Sequence, residues 1–299
     1  MSKYKYGLIL DTNVFIHLSQ QNYYQPYIYD TFLHSMIFSP NTLFIIPEQV
    51  QIEWKRLIEE KMEALVEKEK KPLVDALKLT KHLDNQEQVN NYQDAINQAL
   101  KIKDRIHKYI FQERVKFINS LLFDESFPFG SDKEKVERTA GIDKLLVNLS
   151  LNHSAPFFGN DRGKGKINEM ADALIFFSAC EFAKNNSELC DAYIFITDET
   201  NFSQGPELHK NIKGYAEEAN LNFYCSFKTF IDSELSIVAE EYKQNAEDNP
   251  LFLSDKYFKT CNECKGEVHI HKDVYPKRDF WYYVCECGNE WHEFETVDL

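Results

Sequence analysis

Four short apolar runs, separated by long stretches of helical character, constrain this chain more than any other feature. They are Leu8-Ile9-Leu10, Leu43-Phe44-Ile45-Ile46, Ala192-Tyr193-Ile194-Phe195-Ile196 and Leu221 to Cys225, the last interrupted by Asn222. Runs of this length without polar alternation are read as strands buried on both faces, which helices on either side of a parallel sheet make possible. The order strand, helices, strand, helices, strand, helix, strand, helix predicts an α/β fold with a central parallel sheet between helical layers. In such sheets ligands bind where strands end and helices begin. Asp11 stands at that place after the first run, followed by Thr12 and Asn13, which can cap the helix that Val14, Phe15 and Leu18 begin. Asp11 therefore reads either as part of a cap or as a functional acid, and the rest of the chain decides between them.

The second run is closed by Pro47, and a long helix starting at Glu48 places Val50, Trp54, Leu57 and Ile58 on one face, with Glu53 in its early turns. Between about Lys55 and Arg138 the chain is rich in Lys, Glu, Gln, Leu and Ala, with no Gly before Gly130 and with Pro72 inside the helical part. Leu65, Leu73, Leu77, Ile96, Leu100, Ile106 and Ile110 recur at helical spacing, which predicts two or three long helices, as in an antiparallel arm. Their interspersed charges read as solvated faces. A helix from roughly Glu134 to Asn152 follows. Phe157 to Lys166 is Gly-rich and locally basic; it reads as a flexible loop or, through Arg162, Lys164 and Lys166, as a phosphate-contacting one. Asp172 and Glu169 then open a helix from one face. The third apolar run ends in Thr197-Asp198-Glu199-Thr200-Asn201.

Acids thus follow three of the four strands, Asp11, Glu53 and Asp198, and Asp172 opens the helix before the third. One could be a cap. Four at corresponding places predict carboxylates converging at the carboxyl edge of the sheet, where they repel one another unless protonated or bridged by a hard cation such as Mg²⁺ or Mn²⁺. A cation so held activates water and stabilises charge on a phosphate. The net charge of −14 lies opposite to the usual footprint of a nucleic-acid binder, yet an acidic metal site adds to that sum and local basic patches still engage phosphates.

Leu10-Asp11-Thr12-Asn13 after an apolar strand, an acid early in the next long helix, Asp172-Ala-Leu-Ile opening a later helix and Phe195-Ile-Thr-Asp198 ending a strand together resemble a PIN domain. The long helical insertion and the basic loop before Asp172 look like the DUF4935 branch of that family. The resemblance spans about Tyr6 to Ser233. It implies a three-layer α/β/α fold and a Mg²⁺- or Mn²⁺-dependent nuclease, mostly an endoribonuclease acting on single-stranded or structured RNA and leaving a 5′-phosphate and a 3′-hydroxyl. It also implies Asp11, Glu53, Asp172 and Asp198 as the metal-binding acids, with Asn13 and Thr197 in support and Glu169 as a fifth ligand or base. The last motif departs from the family pattern: Glu199 is the alternative to the favoured Asp198, and Asn201 stands where an aspartate is common. Small nucleases of this kind act as toxins or in phage defence, which is the biological role the resemblance suggests. The competing readings are a DNA 5′-nuclease or other metal-dependent phosphohydrolase, and a non-catalytic scaffold that binds RNA or a partner. A haloacid-dehalogenase-like phosphatase would want an acid where Asn13 stands.

Near the carboxyl end, Cys261-x-x-Cys264 and Cys285-x-Cys287 are separated by twenty residues. Val268 to Ile270 and Trp281 to Val284 alternate like short strands. The spacing predicts a tetrahedral Cys₄ zinc site on two knuckles, a small zinc ribbon, stapling about fifty residues with little core. His269, His271 and His292 are lower-ranked alternates. The expected organisation is a nuclease domain over 1–240 with a helical insertion at about 60–155, an acidic linker near Glu240 to Asp248, and a zinc-ribbon module over 250–299. The insertion and ribbon are candidate surfaces for a protein partner or a second copy. With no signal-peptide pattern, no membrane-length apolar run and clustered rather than scattered cysteines, the chain reads as cytoplasmic, with RNA as its expected partner, DNA the second candidate, and no membrane partner.

Overall fold

The computed structural model describes residues 3–20, 23–83, 85–106, 112–125, 130–152, 157, 169–199, 202–204, 207–248, 259–260, 263, 267–271, 280–284 and 290–294. Strand β1 (Tyr4–Leu10) runs through the middle of the main sheet. Helix α1 (Thr12–Ser19), helix α2 (Pro26–Phe32) and a π-helical turn (Leu33–Ile37) lead to strand β2 (Thr42–Pro47), which pairs parallel to β1 with Leu8 opposite Phe44. Every residue of β2 is buried, and so are Leu8, Ile9 and Leu10, as strands with both faces covered require.

Helix α3 (Glu48–Leu77) packs only its first half against the core, through Val50, Trp54, Ile58 and Met62. A 3₁₀ turn (Lys78–His82) and helix α4 (Gln86–Ile106) then fold back along its outer half, confirming the antiparallel arm. Lys103 bonds Glu69 at 2.9 Å and Lys70 pairs with Asp104 across that seam. These pairs are partly solvated, so each contributes roughly 0–1 kcal/mol and the arm depends on its helical propensity as well. Helix α5 (Gln112–Phe123) returns to the core, burying Ile118, Leu121 and Leu122. Trp54 Nε1 donates to Asn119 Oδ1 at 2.7 Å, tying the base of the arm together.

Strand β3 (Asp132–Val136) is a departure from the sequence reading, which places a helix from about Glu134. The segment instead pairs parallel to β2 as the edge of the sheet, and helix α6 (Ala140–Leu151) starts later, capped by the Thr139 hydroxyl. Asp132-Lys-Glu-Lys-Val136 is mostly solvent-facing, and its charge hides the strand from a hydrophobicity pattern while protecting an edge from unwanted pairing. Helix α7 (Glu169–Asn185) leads to strand β4 (Cys190–Ile196) on the other side of β1. A two-residue hairpin, β5 (Ser203–Gln204) with β6 (Glu207–Leu208), precedes helix α8 (Lys210–Glu218) and strand β7 (Leu221–Tyr224).

The five-stranded sheet runs β3-β2-β1-β4-β7, all parallel, between covering helices: a three-layer α/β/α arrangement, as expected. Gly7 lets the buried Tyr193 ring lie directly over β1, since a Cβ there would sit 2.6 Å from a ring carbon. Two helices close the domain, α9 (Phe227–Glu234) and α10 (Ser236–Asp248), with a break at Leu235 where a single helix was expected. Helix α10 continues through the acidic stretch read as a linker and packs on α2.

Beyond it, strands β8 (Lys259–Thr260), β9 (Glu267–His271), β10 (Phe280–Val284) and β11 (Glu290–Phe294) make a four-stranded antiparallel sheet. Cys261, Cys264, Cys285 and Cys287 lie outside the described residues. Among the described residues, no helix is long and apolar enough to cross a membrane.

Candidate active site

The strand order reverses between β1 and β4, and the site grows from the carboxyl ends of that pair. The ladder extends one residue past each strand. Asp11 N donates to Ile196 O at 2.9 Å, and Thr197 N donates to Tyr224 O at 3.1 Å. The backbones carrying Asp11 and Thr197 are therefore fixed side by side. Thr197 Oγ1 donates to Asp11 Oδ2 at 2.7 Å, which orients the carboxylate. Asp11 Oδ1 accepts the Thr12 N–H at 2.7 Å, so Asp11 is itself the N-cap of α1, a role the sequence reading gives to Thr12 and Asn13. Cap and functional acid are not alternatives here, because each carboxylate oxygen keeps a lone pair after one such bond.

Glu53 arrives from the second turn of α3. Its Oε2 accepts from Thr12 Oγ1 at 3.0 Å and its Oε1 from Arg56 Nη2 at 3.3 Å. Asp172 arrives from the first turn of α7. Asp11, Glu53 and Asp172 are 1%, 3% and 8% exposed, and each can offer an oxygen to a common point with those atoms within 4.8 Å of one another. Cation–oxygen distances of about 2.0–2.6 Å allow one ion to reach all three.

The electrostatics demand something positive there. Burial, then the Asp172 and Glu53 charges, push Asp11 up to about 8, against the pull of the Thr197 and Thr12 hydrogen bonds. Burial also raises Glu53, opposed by Thr12 and Arg56. At neutral pH the cluster either keeps a proton or takes a cation. An all-oxygen, buried, mutually repelling donor set fits a hard divalent ion.

Neither Glu199 nor the favoured fourth acid, Asp198, is in that group. Asp198 Oδ1 accepts the Phe227 N–H at 3.0 Å, and its Oδ2 meets His17 Nδ1 at 2.7 Å and the Tyr24 hydroxyl. Burial acts to raise it, but those partners win and hold it below the usual carboxylate range. Glu199 has different partners: Asn13 Nδ2 donates to its Oε1 at 2.9 Å, and its N–H donates to Thr197 Oγ1 at 3.0 Å. Asn13 and His17 are one helical turn apart on α1, so one face of that helix holds both acids of the loop.

Of the other expected residues, Glu169 is the first residue of α7 and its side chain lies outside the described set, as do Asn201, Arg162, Lys164 and Lys166. Sequence reasoning did not single out Arg56, His17 or Tyr24. For Arg56 a signal existed, namely its position three residues after Glu53 on a helix; for His17 it was the four-residue step from Asn13. Nothing local connects Tyr24 to Asp198, 174 residues away.

A family model described as a PIN domain matches residues 8–202. No curated protein and no solved structure matches the chain.

Proposed function

That match spans more than half of the chain, which therefore belongs to the PIN-domain family of metal-dependent nucleases, and from this premise we propose that it is an endoribonuclease working through Asp11, Glu53 and Asp172. The observation that carries the reading is the meeting of three buried carboxylates, from three separate elements, at the carboxyl edge of the sheet. A bound Mg²⁺ or Mn²⁺ would supply charge neutralisation and Lewis acidity toward a phosphodiester. The chain's own contribution is to hold the acids: Thr197 orients Asp11, while Thr12 and Arg56 grip the two oxygens of Glu53. In this reading the fourth acidic position belongs to Glu199, which Asn13 steadies. Asp198 is proposed as the anchor of the loop, because His17, Tyr24 and the Phe227 N–H all converge on it.

RNA is the proposed substrate, cut to leave a 5′-phosphate and a 3′-hydroxyl, on the family's prevailing activity. Arg162, Lys164 and Lys166 are the proposed phosphate contacts, on their charge and their position just before Asp172. The DUF4935 branch is the proposed subfamily, on the place of the helical insertion and of the basic loop before Asp172, and a toxin or phage-defence role is proposed on the same analogy. Zinc on Cys261, Cys264, Cys285 and Cys287 completes the proposal. Each pair falls in sequence between strands that run antiparallel, β8 with β9 and β10 with β11, as two knuckles require.

The deciding experiment incubates labelled single-stranded RNA and DNA with the protein in Mn²⁺, Mg²⁺ or chelator, beside Asp11→Asn and Asp172→Asn. Cleavage of RNA that needs the metal and both acids supports the reading. Cleavage of DNA alone turns it into a DNA nuclease, and equal cleavage by the variants removes the site. Elemental analysis of wild type and Cys261→Ser tests zinc independently.

A further inference from the structure

Beside the acids, at the end of α1, stands an aromatic arrangement that the hydrolytic reading leaves unused. The Tyr23 ring lies flat on the His17 ring, with centroids 3.5 Å apart and planes 8° from parallel. Its edge is held by Tyr24, at 5.0 Å and 84°. Both supports are themselves anchored: His17 Nδ1 and the Tyr24 hydroxyl converge on Asp198, which accepts the Phe227 N–H, and the Tyr24 ring packs on Phe227. Arg114 Nη1 donates to the Gln20 carbonyl at 3.1 Å, fixing the exit of α1 just before this segment. Tyr23 nevertheless remains 50% exposed, and among the described residues no other ring packs on it.

A large aromatic ring held on one face and open on the other is what a nucleobase stacks upon. Its position is appropriate. His17 lies six residues from Asp11, roughly 9 Å along the helix axis. The loop that carries Asp198 lies beside it, because His17 and Tyr24, the two rings that hold Tyr23, both bond Asp198. Stacking also suits this acidic surface, because it engages the uncharged base and asks nothing of the phosphate.

Resting on the nuclease reading above, we propose that Tyr23, backed by His17, is a stacking platform for an unpaired base next to the cleaved phosphodiester, making the enzyme selective for single-stranded substrate at that position. Tyr24 and Asp198 are positioning residues for the platform.

The test uses the full chain with Mn²⁺ and a short labelled single-stranded RNA, in which each nucleotide in turn is replaced by an abasic one. Wild type is compared with Tyr23→Ala, Tyr23→Phe and Tyr23→Trp, and thermal unfolding checks that all remain folded. Tyr23→Ala should raise KM on the order of tenfold with kcat unchanged, while Phe and Trp keep the wild-type value. One abasic position should raise the wild-type KM to the same extent and add nothing further in Tyr23→Ala, since ring and base are then two halves of one contact. An unchanged KM in Tyr23→Ala, a Phe variant as weak as Ala, or abasic effects that simply add would each overturn the platform. In those cases cleavage by wild type leaves the nuclease reading standing. A wild type that cuts no oligonucleotide removes both.

Discussion

Replacing Asp11 by Asn should make the metal-free protein more stable while abolishing its chemistry. The carboxyl of Asp11 is moved from an ordinary 3.8 to about 8, first by burial and then by Asp172 and Glu53. Each unit is worth about 1.4 kcal/mol, so the ceiling above pH 8 is on the order of 6 kcal/mol. The sign follows from proton counting. Between the two values the folded state holds a proton that the unfolded state has released, so folding stability falls as pH rises through that window. Below it both states are protonated and the penalty is absent. At neutral pH about three units have accumulated, a ceiling of roughly 4 kcal/mol. Local relaxation and water entry reduce this, so a net gain of about 1–3 kcal/mol for Asp11→Asn is the working figure. In a chain of this size that is roughly 2–6 °C in Tm. The assay is thermal unfolding of both proteins from about pH 5 to 9 in buffer stripped of divalent cations. The curves should lie closest near pH 5 and diverge as the pH rises toward about 8. A difference independent of pH, or a variant less stable than wild type at pH 8, would refute the claim that Asp11 carries repulsive charge.

Three further outcomes follow from the same geometry. Mn²⁺ should raise the wild-type Tm more at about pH 8 than at pH 6, where a proton competes for Asp11, and should leave Asp11→Asn nearly unmoved; a shift of equal size at both pH values would place the ion elsewhere. Thr197→Val removes the hydroxyl that donates to Asp11 and accepts from Glu199, so cleavage should fall about 10–100-fold with the fold intact, as read by kcat/KM beside circular dichroism. Gly7→Ala drives a methyl into the buried Tyr193 ring and should cost about 1–3 kcal/mol in denaturant unfolding without touching the acids; a neutral result would show that the ring can move aside.

The strands that build the site were legible because burial on both faces leaves an uninterrupted apolar trace, as at Leu43 to Ile46. Strand β3 left none, because an edge strand with one neighbour can be charged throughout. Asp11, Glu53 and Asp172 were found for a physical reason: each sits where a strand yields to a helix, or in a helix's first turns, and the topology points such places at one another. The loop after β4 resisted the same logic. Asp198 and Glu199 are adjacent in sequence and chemically alike. What separates them is which partners each one meets, His17 and Tyr24 for one and Asn13 for the other, and that is decided by contacts more than 170 residues distant along the chain.

Helix α3 has a mechanical consequence. It spans about 45 Å, with the Glu53 carboxylate near one end and the arm on the other. Its fulcrum is the packing of Trp54 and Ile58, immediately past Glu53. Pro72 removes one rung of the helix's hydrogen-bond ladder and interrupts its stiffness there. The seam that Glu69 and Lys70 make with α4 lies on the Glu53 side of that interruption, and the last turns of α3 lie beyond it.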